Sequence, residues 1–111
     1  MPTKTPMPGR AVRGSQSGRP LMAALDLLGR RWALRLLWEL RNGPLGARAL
    51  RTRCDEMSSS VLYERLHELA DAGLVRQNAS LDYELTAIGR ELGDAIGPLA
   101  AWSKRWARTR A

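Results

Sequence analysis

The sequence predicts a mainly α-helical domain that carries one small β-hairpin, and three observations lead to this fold class. Apolar residues recur at helical spacing in four segments between Pro20 and Gly73. Two short runs of strand-forming residues follow at 74–78 and 82–85, on either side of a tight turn. A last helical segment starts after Thr86. The 111 residues have room for one domain.

The four helices before the hairpin are placed by their apolar faces and by their start and stop residues. Pro20 suits the first turn of the first helix, and Gly29 suits its exit. Ser58 is a favourable cap for the fourth helix, which ends at Gly73. The predicted ranges are about 20–28, 31–41, 46–53 and 58–73. The residues predicted to face the core of the last three are Trp32, Leu36, Leu37, Leu40, Ala47, Leu50, Cys54, Leu62, Leu66 and Leu69.

The final helix is expected to run from Thr86 to about Ala107, with a kink or a break near Pro98. The order of elements is four helices, a hairpin and a helix. A turn-linked helix pair followed by a two-stranded wing is typical of the winged helix-turn-helix. Because so small a hairpin is not stable alone, it must pack on the helices.

Composition divides the chain into three parts. Residues 1–19 are rich in Pro, Gly, Ser and Thr without apolar periodicity, and they predict a disordered basic arm. Residues 20–107 are the predicted winged helix-turn-helix domain for DNA binding and dimerisation. Residues 108–111 are a basic tail. The basic side chains of the arm are Lys4, Arg10, Arg13 and Arg19.

The formal net charge of +7 favours an anionic partner, which could be nucleic acid, an acidic protein or a membrane surface. Residues 30–53 hold seven arginines against the single acid Glu39. Residues 54–94 instead hold nine acids against three arginines. We therefore expect the phosphate contacts to come from the second and third helices, helped by the two basic ends. Surface ion pairs are the alternative role for these arginines.

The sequence does not contain the residues that several classes of protein function require. With one Cys and one His, the chain can form neither an internal disulfide nor a four-ligand zinc cluster. It has no glycine-rich phosphate loop and no paired nucleophile and base. We expect no enzyme activity, no catalytic residues, no metal and no cofactor. Neither a secretory signal nor a membrane span is present in the sequence, so the expected location is the cytoplasm.

The fourth helix is the candidate recognition helix, because its polar face lies opposite its leucines. Serines at its start suit phosphate, and Tyr63 and His67 suit base edges or sugar, although His67 could equally be a solvated surface residue. The side chains offer few bidentate base contacts, which points to shape readout and water. Arg65 lies near the core side and could bridge to an acid. The predicted DNA-binding residues are Arg48, Arg51, Ser58, Ser59, Ser60, Tyr63, Glu64, His67, Arg76 and Asn78.

An apolar stripe near the end of the chain predicts a two-fold interface with the first helix of a second copy. Packing of its tryptophans onto Trp32 or Trp38 of the same chain is the alternative. The same aromatic residues could line a pocket for a small apolar or aromatic effector. The predicted dimerisation residues are Leu21, Leu25, Leu99, Trp102 and Trp106.

Three sequence blocks, taken in order, resemble the HxlR-type winged-helix regulators of the MarR-like group. They are LG-x-RW at 28–32, LHELADAGLV at 66–75 and YELTAIGREL at 83–92. The resemblance extends over about 19–103. It implies a bacterial transcription factor that binds operator DNA as a dimer. The first and last helices of such a protein form the dimer interface. Members of this family respond to small molecules, aldehydes or oxidants.

The chain departs from the family pattern at two places. Arg19 stands where many members have a sensor cysteine, and Cys54 stands at a core position, so we interpret Cys54 as buried packing. Only seven residues separate Val75 from Tyr83, which makes a short wing. This lowers the weight given to base contacts at the tip of the wing.

The sequence thus predicts a DNA-binding transcription regulator, a homodimeric repressor on a palindromic operator, modulated by a small-molecule effector. Its expected partners are double-stranded DNA and a second copy, and not a membrane. The alternatives are a non-specific architectural DNA-binding protein, a protein-interaction module, and a ligand-binding dimer without operator function.

Overall fold

A computed structural model describes residues 5–110, which form five α-helices and one antiparallel pair of strands. The predicted fold class is confirmed. The elements are α1 Pro20–Leu28, α2 Ala33–Leu40, α3 Ala47–Arg53, α4 Ser59–Asp71, β1 Val75–Gln77, β2 Tyr83–Leu85 and α5 Ala87–Thr109.

Helix α2 begins two residues later than its apolar pattern predicts. Trp32 precedes it with a φ of +76°, in the left-handed region that bulky residues rarely adopt. The ring is half-buried and packs against the core, which holds the residue in this conformation. The first turn of α2 is therefore fixed by packing rather than by a side-chain cap.

The core lies where α2, α3 and α4 meet the hairpin. The predicted inward faces are confirmed, except that Trp32 and Ala47 are only partly buried. Burial of each leucine contributes roughly 1.5–3 kcal/mol, so this cluster supplies much of the stability. Cys54 is fully buried, as its interpretation as packing requires. The largest fully buried side chains are Leu36, Leu37, Leu40, Leu50, Leu62, Leu69 and Cys54.

The hairpin is anchored at its base and extended by a third segment. Val75 pairs with Leu85, and both side chains are buried. Leu45, in the link between α2 and α3, exchanges backbone hydrogen bonds of 2.9 and 2.8 Å with Tyr83. The small wing thus gains the packing and pairing that its length cannot supply.

Helix α5 is capped by Thr86, whose Oγ1 accepts from the N–H of Gly89 at 3.1 Å and donates to the carbonyl of Gly73 at 2.6 Å. The helix continues without interruption through Pro98, so the predicted alternative of a break there is wrong. Pro98 lies on the exposed side, where the carbonyl that loses its helical partner can bond to water. Beyond Ile96, nearly every residue of α5 is exposed.

Residues 5–19 form turns that lie against α1, whereas composition predicted a disordered basic arm over 1–19. The N–H of Gly9 donates to the carbonyl of Gly18 at 2.9 Å, and the N–H of Arg13 donates to Asp26 at 3.1 Å. Residues 1–4, including Lys4, lie outside the described range. Helix α5 reaches Thr109, inside the predicted tail. The three-part division of the chain remains a prediction.

Candidate nucleic-acid interface

The turn between α3 and α4 is held by backbone and arginine contacts. Arg51 Nε donates to the carbonyl of Met57 at 2.9 Å, and the N–H of Glu56 donates to the carbonyl of Arg51 at 2.8 Å. Asp55 and Glu56 both have left-handed backbones, with φ of 55° and 57°. Such conformations are unfavourable for non-glycine residues, so the surrounding contacts must stabilise the turn.

Ser58 caps α4, because its Oγ accepts from the N–H of Val61 at 3.2 Å. Ser59 and Ser60 are exposed beside it. The first turn of a helix carries backbone N–H groups without intrahelical partners and a partial positive charge. This end of α4 can therefore hold a phosphate with the help of short hydroxyl side chains.

The outward face of α4 is solvent-exposed along its first two turns. Tyr63 is 52% exposed, and Glu64 and His67 are also exposed. Glu64 and His67 lie opposite the buried Leu62 and Leu66, and Tyr63 flanks them, as the helical spacing predicts. The structure thus brings together on one surface the five candidates Ser59, Ser60, Tyr63, Glu64 and His67.

Behind α4, a buried carboxylate ties the helix to the link between α1 and α2. Glu68 is 6% exposed and pairs with the guanidinium groups of Arg30 and Arg65. Arg65 Nε also donates to the carbonyl of Arg31 at 2.9 Å. Arg65 is thus structural. Sequence reasoning missed Glu68; its i, i+3 spacing from Arg65 was visible, but Arg30 is distant in sequence.

The arginines of α2 and α3 are divided between internal and external roles. Glu39 pairs with Arg35 at 2.9 Å and with Arg53 at 3.7 Å, and its hydrogen bond raises the pKa of Arg35. The alternative of surface ion pairs therefore holds for these two. The guanidinium of Arg41 stacks over Trp38, 3.6 Å from the ring centroid.

Arg48 differs from these arginines, because its exposed side chain makes no hydrogen bond or ion pair to any residue between 5 and 110. It is therefore available to a phosphate without the loss of an internal contact. Arg51, by contrast, uses Nε in the turn before α4 and is partly buried.

Both candidate residues of the wing bind Glu84. Arg76 Nε donates to Glu84 at 2.7 Å across the strand pair, and Asn78 Nδ2 donates at 3.2 Å. These two hydrogen bonds lower the pKa of the Glu84 carboxyl. Asn78 Oδ1 also accepts from the N–H groups of Ser80 and Asp82, so Asn78 shapes the turn. The side chain of Arg76 remains 62% exposed.

The predicted dimerisation residues are all exposed in the single chain. Leu21 is 65% and Leu25 is 53% exposed on α1. On α5, Trp102 and Trp106 stack on each other with ring centroids 5.7 Å apart and remain about half exposed. The alternative that these rings pack onto Trp32 or Trp38 is not seen among residues 5–110.

The sequence and fold of this chain are similar to those of known proteins, which identifies its family. Residues 27–111 match the HxlR-like helix-turn-helix family. The chain belongs to this family. Its winged helix-turn-helix is therefore that of a DNA-binding transcription regulator of HxlR/MarR type, as the sequence blocks predicted.

Individual relatives cover most of the chain. The HTH-type transcriptional regulator YvaP of Bacillus subtilis is 29% identical over 89 residues, which is 75% of this chain and 82% of YvaP. The crystal structure of quinone-bound YodB from Bacillus subtilis is similar with a TM-score of 0.71 and 28% identity, over 77% of this chain and 96% of that chain. A possible HxlR family transcriptional factor from Thermoplasma volcanium has a TM-score of 0.70 and 27% identity, over 80% and 85%.

Residues 5–110 hold neither a candidate metal site nor a helix that could span a membrane. No three His, Cys, Asp or Glu side chains come together there as candidate ligands of a metal ion. None of the helices in that range has the length and apolar character to cross a bilayer.

Proposed function

We propose that this HxlR-family regulator is a repressor that binds a palindromic operator as a homodimer, with α4 of each copy in the major groove. The observation that carries the proposal is the exposed polar face of α4, which begins at the capped Ser58 and is held from behind by the buried Glu68. A helix presented in this way can enter a groove without rearrangement.

We infer the roles of the individual residues from their charge and contacts. Ser58, Ser59 and Ser60 take a phosphate at the helix terminus, and Arg48 takes a neighbouring one. Tyr63 and His67 reach the groove floor, and Glu64 is the acceptor for a cytosine amino group. Arg51 contributes by shaping the turn, and Arg76 and Asn78 of the wing contribute mainly through Glu84.

The homodimer is supported by the apolar residues that the single chain leaves uncovered. Leu21, Leu25, Leu99, Trp102 and Trp106 are each between 49% and 65% exposed. Large exposed apolar patches mark interaction sites, and tryptophan is enriched at the centre of interfaces. A two-fold interface built on α1 and α5 would cover them and present two copies of α4 to one duplex.

Selection of duplexes from a random pool by the purified full-length chain tests the function. We expect a palindrome whose half-sites lie about one helical turn, roughly 10 base pairs, apart or a multiple of that spacing. A monomeric protein with no preference for any duplex over scrambled competitor would refute the assignment. Binding without sequence preference would instead identify an architectural DNA-binding protein.

Two variants test the assigned residues on the selected operator. Arg48→Ala should weaken binding to all duplexes alike and lower the salt dependence by about one phosphate contact. His67→Ala should reduce discrimination between operator and mutated operator while leaving non-specific binding unchanged. Arg90→Ala is the charge control, because Arg90 lies on α5 rather than on α3 or α4 and donates to the carbonyl of Leu85.

The effector is the second part of the proposal. YodB has been crystallised with a quinone bound. Cys54 is this chain's only thiol and is fully buried, so we propose non-covalent binding of an apolar or aromatic compound near the α5 tryptophans. Quenching of tryptophan fluorescence together with release from operator would support it. Quenching with no operator binding by the free protein would favour a ligand-binding dimer without operator function.

A further inference from the structure

Helix α5 carries one apolar stripe along its whole length, with the alternating spacing of four and three residues that characterises coiled coils. Within the stripe, Leu92 packs against the core, whereas Ile88, Leu99, Trp102 and Trp106 are each about half exposed. The members are Ile88, Leu92, Ala95, Leu99, Trp102 and Trp106.

The first part of the same helix borders an apolar cavity of about 370 Å³ between α5, α1 and the arm. Residues 6–8 of the arm form one wall, Ala24 and Leu28 of α1 form another, and Ile88 and Leu92 form a third. The only charged side chain in the lining is Glu91. One end of α5 thus borders an apolar groove, and the other end carries exposed indole rings.

We propose that this groove binds Trp102 and Trp106 of a second copy, with the two α5 helices packed antiparallel. The proposal rests on the homodimer proposed above and specifies its register. Reversing the helix about the level of Gly97 sets Trp106 against the partner's Ile88 and Trp102 against the partner's Leu92. The same reversal sets Leu99 against the partner's Ala95, where a small side chain permits close approach.

Charge selects this direction over a parallel one. Between 95 and 110, the last part of α5 and its C-cap carry four basic side chains and no acid, whereas its first part carries two acids, Glu91 and Asp94, against Arg90. A parallel pair would place the two basic segments side by side, which is unfavourable. The antiparallel pair places each basic segment on the partner's acidic one. The four basic residues are Lys104, Arg105, Arg108 and Arg110.

The register also predicts one reciprocal ion pair. Glu91 and Arg105 both lie on the same edge of the stripe, each one position before an apolar residue. In an antiparallel pair such positions face each other, so Glu91 lies beside the partner's Arg105 on both sides of the two-fold axis. Within residues 5–110 neither side chain has an ion-pair partner in its own chain.

A charge-exchange experiment on the full chain tests the register. Glu91→Arg and Arg105→Glu should each place like charges at both contacts and raise the dimer dissociation constant about ten-fold in low salt. An equimolar mixture should form a heterodimer in preference to either homodimer, measured by native mass spectrometry and sedimentation, because both pairs are restored. Circular dichroism verifies that each surface variant is folded.

Arg108→Glu is the matched control, because it makes the same change of charge on the side of α5 opposite the stripe. It should dimerise as the wild type does and show no preference for the Glu91→Arg chain. Normal dimerisation of both test variants, or weakening without preferential heterodimers, would overturn the antiparallel register. If the wild-type dimer still binds its operator in that case, the proposed function survives and only this inference fails.

Discussion

Replacing Glu68 with alanine should be among the most destabilising single changes in the recognition motif. The carboxylate has 8% of its side chain exposed, and its partners Arg30 and Arg65 have 18% and 16% exposed. Removing one member of a buried ion pair typically costs 3–5 kcal/mol, because the remaining charges stay desolvated. Since water can partly reach both guanidinium groups, we expect about 3 kcal/mol.

Urea unfolding at fixed protein concentration measures this loss. With a slope of about 1.5 kcal/mol per M, the midpoint should fall by about 2 M. Glu64→Ala is the matched control, since Glu64 lies on the same helix, 3.5 Å from the same Arg65, and is 64% exposed. Its removal should change stability by less than about 0.5 kcal/mol. Equal losses in the two variants would refute the view that Glu68 fixes the position of α4.

Three further predictions concern the backbone and the wing. Gly89→Ala would place a Cβ 2.1 Å from the carbonyl oxygen of Leu74, so we expect about 3 kcal/mol of destabilisation, measured by thermal unfolding. An unchanged melting temperature would contradict the close packing at this position. Glu56→Gly should stabilise by about 0.5 kcal/mol, because relief of the left-handed strain exceeds the added chain entropy; a lower melting temperature would count against this. The pKa of Glu84 is lower in the folded protein than its ordinary value of 4.5. Its pairing with Arg76 therefore stabilises the wing fully at pH values above 4.5, and this stabilisation is lost as the pH falls through the folded pKa. Arg76→Ala should raise that pKa towards 4.5 in an NMR titration, and no change would exclude the ion pair as its cause.

The order of elements and their buried faces could be predicted because they depend on local spacing. Leu62, Leu66 and Leu69 recur at helical intervals, and Ser58 is a favourable cap, so both ends and the inner face of α4 followed from the sequence. The exposed outer face then followed by geometry. The same reasoning placed the exposed tryptophans of α5 on one side.

Features that depend on distant parts of the chain could not be predicted in this way. Trp32 adopts its left-handed backbone because its ring packs on the core, which no local pattern indicates. Glu68 has its ion pair because α4 packs beside Arg30, 38 positions earlier in the sequence. The turns of residues 5–19 depend on α1, which offers Asp26 to the N–H of Arg13. The composition of residues 5–19 describes that segment alone and gives no information about its contacts with α1.

The contact between Gly89 and Leu74 has a mechanical consequence. Gly89 leaves no room for a Cβ beside the backbone of Leu74, and Thr86 donates to the carbonyls of Gly73 and Leu74, so the start of α5 is held closely against the segment that leads into β1. In the proposed dimer, a change in the angle between the two α5 helices would therefore move the two hairpins with them. The distance between the two α4 helices on DNA would then be set at the junction where α5 begins, far from the DNA itself.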